Sequence, residues 1–241
     1  MIIKFAIILS AVLFISCNTN SGKRTDTINS GVRIAGAMKN VMMKGELSGI
    51  IDLDTIQYKN GLYGLGPIEY LTGELLIIDG KSYVSKVLAD STMFVTRTFK
   101  IKAPFFVYSN VENWKEEVLP DNILTIDHLE EYIDNKTSEL IRPFTFKLIG
   151  SIESAIIHIT NLPKGTKVNS PEDAHQGQTS YEILNKTVTI VGYFSTEHKG
   201  IFTHHDSYLH MHLITTDKEQ MGHLDNMTFE KGKVKLYFPK E

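Results

Sequence analysis

The stretch SYLHMHLITTDKEQMGHLDN, residues 207 to 226, holds three histidines, His210, His212 and His223. Side chains on a β-strand alternate faces, so His210 and His212 project from one side, separated by roughly 7 Å along the backbone. Two imidazoles at that spacing can converge on one ion at about 2.0 to 2.1 Å each. Leu209, Met211 and Leu213 have the opposite parity and face an apolar layer, while Tyr208 shares the parity of the histidines. After the polar turn TTDKEQMG, His223 follows Gly222 where the next strand begins and supplies a third imidazole. Three histidines leave one coordination position open, the arrangement of a catalytic zinc rather than a closed structural one. The competing reading is three solvated strand histidines, because a His-x-His pair alone is a weak signal. Asp225, two residues past His223 and on its face, is either a carboxylate that orients a ligand imidazole or a solvated turn residue.

The chain has nine histidines in all. His204 and His205 are adjacent in FTHHDS, point apart, and read as loop residues. His128, His158, His175 and His198 have no partner at ligand spacing and read as surface or core positions.

The elements that must position these residues are mostly strands. DGK, residues 79 to 81, divides GELLIIDGKSYVS into two apolar runs around Asp79-Gly80, a hairpin signal. MFVTRTFKI, FTFKLIGSIESAIIHIT, VTIVGYF, SYLHMHLIT and KVKLYF supply further strands, rich in β-branched and aromatic residues. Two helices stand out. AGAMKNVMMKG, from Ala35 to Gly45, puts Met38, Val41 and Met42 on one face and ends on a glycine suited to a C-cap. DHLEEYIDNKTSEL opens with Asp127 and Glu130 in capping-box spacing, with Leu129, Tyr132 and Ile133 as its apolar stripe. The methionines and leucines read as core. Many strands and few helices, without regular alternation, indicate an α+β fold with mixed or antiparallel β-sheets.

The N-terminus bears on location. MIIKFAIILSAVLFISC has a basic residue at Lys4, an apolar run from Phe5 to Ile15, and Ser16 before the only cysteine, Cys17. Residues 1–16 read as a secretory signal peptide, too short to span a bilayer as a mature helix. LFISC resembles the lipobox of bacterial lipoproteins, so Cys17 reads as the lipid-bearing residue that anchors an exported protein on the periplasmic or cell-surface side. The other reading is a plain cleaved signal with an incidental cysteine. Residues 17–31 are polar and read as a flexible tether, and 32–241 as the folded domain. A mature chain without a second thiol forms no disulfide within itself and offers no thiolate cluster. With net charge −3 and no basic run longer than two residues, nucleic acid is excluded as a partner class.

Taken together, GYF at 192 to 194, KGI at 199 to 201, SYLHMHLIT and GHLDN resemble, in order, the C-terminal signature of bacterial acetolactate decarboxylases. NGLYGLGPIEYLTGELLIIDGKSY resembles that family's Gly-rich turn, Gly-Glu-Leu strand and Asp-Gly turn, PFTFKLIGSI its central strand, and VTIVGYF the strand before its zinc loop. The resemblance runs from about residue 34 to about residue 238. It implies that His210, His212 and His223 bind one zinc ion and that Glu74 of TGELL is the active-site carboxylate. It also implies a homodimer. The chain departs from the family at two points. Lys147 stands where an arginine is expected on the central strand, and the chain stops at KLYFPKE, leaving Glu241 as a stand-in for a glutamate that the family's tail returns to the pocket.

The implied reaction is zinc-dependent decarboxylation of 2-acetolactate, a small 2-hydroxy-3-keto acid, to acetoin and CO₂. Lys147 can supply charge or a proton, but not the bidentate fork of arginine. A lysine beside a ketone can also form a Schiff base. An alternative is a non-catalytic or substrate-shifted zinc-binding lipoprotein of the same fold. A cupin-type metal enzyme would want a glutamate soon after the His-x-His pair, and LITTD has none.

Overall fold

A computed structural model describes residues 31–89 and 92–240. The signal segment 1–16, Cys17 with nearly all of the tether, and Glu241 lie outside the described residues. In chain order the elements are β1 (Arg33–Ala35), α1 (Met38–Lys44), β2 (Ile51–Asp52), β3 (Leu62–Pro67), β4 (Glu74–Ile78), β5 (Lys81–Val87), β6 (Met93–Arg97), β7 (Lys102–Ala103) and β8 (Phe106–Asn110). They continue with β9 (Trp114–Val118), α2 (Ile126–Lys136), β10 (Phe144–Ile159), α3 (Pro171–Ala174), β11 (Thr179–Phe194), β12 (Leu209–Thr215) and β13 (Met221–Pro239).

The first sheet has six strands in the order β1-β8-β3-β4-β5-β6. Its β4–β5 hairpin turns where the sequence places it, with Asp79 at φ 46° and Gly80 at φ 71°, the two positive values that a tight primed turn requires. The run read as a Gly-rich turn is instead strand β3, buried along its whole length because β4 and β8 pair on either side of it. The little β2–β7 pair flanks this sheet.

The second sheet closes on itself. β10 and β11 pair antiparallel from Phe144 opposite Phe194 to Ile159 opposite Thr179. β13 lies on the other side of β10, and β12 pairs with both β11 and β13, so the four strands form a ring. Register shifts along β10 and β13 bend these long strands enough to allow closure. Phe146, Leu148, Leu213 and Leu236 fill the interior, with Leu129 and Ile133 of α2 against them. The opposite face, carrying Val191, Tyr193, Ile214 and Met221, packs on Tyr63, Leu65, Leu76 and Val107 of the first sheet. The fold is thus α+β, with antiparallel sheets and three α-helices among the described residues.

Both expected helices form, with shifted starts. α1 begins at Met38 because Arg33–Ala35 pair with β8 as a strand, and it ends at Gly45. α2 is capped by Thr125, whose hydroxyl accepts from the His128 amide at 3.3 Å, and not by an Asp127–Glu130 box. The Glu130 carboxylate is engaged elsewhere, accepting from the Ser207 hydroxyl and from the Tyr208 amide at 2.8 Å.

Candidate metal centre

The ring of strands builds the histidine cluster by register. On β12, His210 sits opposite Tyr193 and His212 opposite Val191, which turns both imidazoles toward the first sheet. Leu209, Met211 and Leu213, of opposite parity, lie in the interior. On β13, His223 sits directly opposite His212 and, across its other edge, opposite His158 of β10. Gly222 makes that approach feasible, since a Cβ there would lie 2.5 Å from the His158 carbonyl oxygen. The ring centroids of His210, His212 and His223 are 5.0 to 5.3 Å apart. One ligand nitrogen from each lies within 4.8 Å of the others.

All three imidazoles are buried, and burial is the main reason each is held neutral. Lack of solvent lowers His212 to about 3, with the charge of His158 adding to the effect, and lowers His210 and His223 well below the usual histidine range. A neutral imidazole is the ligand form. His210 Nδ1 and both ring nitrogens of His212 are buried without a well-formed hydrogen bond, the Phe202 and Leu75 backbones offering only weak ones. Buried polar atoms without partners are costly, and a divalent cation on the lone pairs removes that cost. The donor set therefore fits a zinc-type ion with a position left open.

Glu74, the first residue of β4, faces this cluster from the other sheet. Its Oε2 lies 3.7 Å from His212 Nε2 and its Oε1 accepts the Thr160 amide at 3.0 Å. Burial pushes this carboxyl up to about 7 against the opposing pull of His158 and the Thr160 hydrogen bonds. Glu74, His158, His204, His210 and His223 share a cleft of about 500 Å³ whose apolar wall comes from Met38, Met42, Pro67 and Phe105. The α1 methionines thus serve the cleft as well as the core.

Lys147 is not brought to this cleft. One strand, β11, lies between it and His212 in register, a lateral distance of roughly 10 Å, and its amine leans away from β11 over Trp114 and Tyr237. Nζ donates to Tyr63 Oη at 3.4 Å and lies 4.3 Å from the Trp114 ring centre and 4.9 Å from that of Tyr237. The central-strand side chain that does reach the site is His158, at the far end of β10. Its Nδ1 pairs with Asp225 at 2.7 Å, so Asp225 orients His158 and not His223. Burial draws the His158 imidazole down, but the hydrogen bond and charge of Asp225, with Glu74, outweigh it and leave it above its ordinary value. His204 also belongs here, with Nε2 3.0 Å from His223 Nε2. His158 and His204 carried no spacing signal, and only strand register and loop path place them. Their neighbours fare differently: His205 is 89% exposed, and His198 bonds Ser195 away from the cluster.

A family model described as alpha-acetolactate decarboxylase matches residues 36–239. The alpha-acetolactate decarboxylase of Lactococcus lactis subsp. cremoris (strain MG1363) is 28% identical over 213 residues, spanning 86% of this chain and 80% of that protein. The alpha-acetolactate decarboxylase of Brevibacillus brevis is 24% identical over 199 residues, 82% of this chain and 66% of that protein. The crystal structure of alpha-acetolactate decarboxylase from Bacillus subtilis strain 168 shares the fold, with TM-score 0.68 at 19% identity over 87% of this chain and 86% of that one. A Staphylococcus aureus protein of unknown function, similar to alpha-acetolactate decarboxylase, gives 0.69 at 18% identity over the same shares. Since the match covers nearly all of the described residues, the chain belongs to the alpha-acetolactate decarboxylase family, a family of lyases.

Proposed function

We propose that this protein decarboxylates 2-acetolactate to acetoin and CO₂, with one zinc ion held by His210, His212 and His223. The observation that carries this reading is the meeting of three buried, neutral imidazoles with one buried carboxyl, His210, His223 and Glu74 lining one cleft and His212 lying behind them 3.7 Å from Glu74. Zinc bound there supplies Lewis-acid polarisation of the substrate's ketone and hydroxyl oxygens. The bond from C2 to the carboxylate breaks, its electron pair passes toward the neighbouring ketone, and CO₂ leaves. One proton must then reach carbon to give acetoin. Glu74 is placed to hold it: with its pKa raised to about 7, the carboxyl is part-protonated at neutral pH. The Thr160 amide fixes Oε1 and leaves Oε2 on the histidine side. Met38, Met42, Pro67 and Phe105 give the alkyl groups of the substrate an apolar wall and keep water from competing as the proton source.

The direct test uses signal-deleted, zinc-loaded protein with acetolactate, measuring acetoin above the spontaneous rate. The expected result is a rate that disappears with a chelator and returns with zinc. No metal-dependent rate overturns the reading. A second reading, a zinc-binding protein of this fold without turnover, is favoured by one observation: the Lys147 amine lies among aromatic rings away from the cleft. Stoichiometric zinc with no activity on a panel of 2-hydroxy-3-keto acids would select it.

A further inference from the structure

We propose that His204 is a fourth, exchangeable donor to the ion held by His210, His212 and His223, closing the centre at rest and yielding when a chelating hydroxy-ketone arrives. This rests on the metal reading above.

The three other imidazoles ride on paired strands, whereas His204 rides on the loop from 195 to 208 between β11 and β12. That loop is pinned on both sides of it. The Met38 and Lys39 amides donate to the Ile201 and Gly200 carbonyls at 2.7 and 2.8 Å, and Glu130 holds Ser207 and Tyr208. Between those anchors His204 turns inward and His205 outward to solvent. His204 lines the cleft that holds Glu74 and also a second opening of about 620 Å³ on the α2 side, so its ring forms part of the wall between the two.

The contact itself is chemically specific. His204 Nε2 and His223 Nε2 are 3.0 Å apart, with ring centres 4.9 Å apart, and the His204 ring centre is 6.0 Å from that of His210. Two neutral imidazole nitrogens meet at that distance in one of two ways: one donates a proton to the other, or both direct lone pairs at one cation. Nitrogens about 2.1 Å from a shared ion are about 3.0 Å apart at a right angle and about 3.4 Å apart at the tetrahedral angle. The His204–His223 spacing matches one ligand-to-ligand edge, while His204 stands farther from His210 and outside the 4.8 Å grouping of the three histidines, so full closure needs its ring to swing inward on the loop. A substrate that chelates through two oxygens needs two positions, and the loop-borne imidazole is the donor that can leave without breaking a strand pairing.

The test counts imidazoles on the zinc-loaded protein by X-ray absorption and measures zinc affinity by chelator competition. The unsubstituted protein should show four imidazoles, and excess acetoin should reduce the count to three. His204→Ala and His204→Gln should show three without acetoin and bind zinc about tenfold or more weakly. His205→Ala should keep four and the full affinity, showing that disturbing the loop is not the cause. Circular dichroism checks that each variant is folded, and the unsubstituted count stands whether or not a variant folds. Zinc bound through three imidazoles in the unsubstituted protein overturns this inference alone, with His204 then only a hydrogen-bond partner. No zinc uptake at all overturns the proposed function and this inference with it.

Discussion

A carboxyl group stripped of nearly all its water, as Glu74 is at 2% exposure, keeps its proton to higher pH and becomes able to give it away near neutrality. Glu74→Gln should therefore retain zinc and fold while the turnover number falls by about 10² to 10⁴, measured as acetoin formed above background. His212→Ala removes a ligand with no compensating neighbour on its strand, and zinc measured after dialysis should fall from about one per chain to near none. Lys147→Met tests the opposite expectation. Because its amine contacts Tyr63, Trp114 and Tyr237 and not the cleft, metal content and kcat/KM should stay within about threefold. Stability should drop by about 0.5–2 kcal/mol as the cation–π contacts go, seen as a lower melting temperature. The triad was legible in the sequence because strand alternation is a local rule. His158 and His204 were not, because their neighbours are set by the pairing of β10 with β13 and by a loop's path, and neither leaves a pattern within a short window.

At the level of elements, the β12–β13 hairpin carries all three proposed ligands, and its turn is held by one carboxylate. Asp217 accepts from the Thr215 hydroxyl at 2.5 Å, the Glu219 amide at 3.1 Å and the Lys186 amine at 3.0 Å. These bonds, that of Thr215 foremost, lower its pKa from 3.8 to about 2. A depressed carboxyl pKa adds stability that is fully present above 3.8 and is lost as pH falls through about 2. With the side chain 37% exposed, solvent screening keeps the contribution to about 1 kcal/mol or less. Asp217→Asn should lower the melting temperature by about 2–4 °C at neutral pH, with the gap closing between 3.8 and about 2. Hairpins and helix interiors were legible because Asp-Gly turns and apolar stripes are local. The α2 cap was missed because Thr125 competes with Asp127 and only the Thr125 hydroxyl reaches the open amide. The start of β13 at Gly222-His223 and its KVKLYF end were read, but not the unbroken strand between them, because NMTFEKG is mostly polar, as befits a strand whose two edges are committed to its neighbours.

For the molecule as a whole, we propose that a lipid on Cys17 would set where the cleft works. Cys17→Ser should move the protein from the membrane fraction to the soluble exported fraction and abolish labelling by a fatty-acid probe. An unchanged distribution would sink the anchor. None of the described helices is long and apolar enough to cross a membrane. The strand ring has a bearing on the order of events in the life of each copy. His210 and His212 come from β12, His223 from β13 and Glu74 from β4, and the cluster exists only when β13 has docked between β10 and β12. A ribosome-bound chain that still lacks β13 therefore has no cavity to load, and ion capture must follow synthesis. If the proposed ion binds the closed ring and not the open chain, each tenfold rise in free zinc above the dissociation constant should add about 1.4 kcal/mol to stability, readable as a rising melting temperature. On the proposed metal reading, metal supply where the ring closes would act as a selection step, sorting copies that persist from copies that reopen.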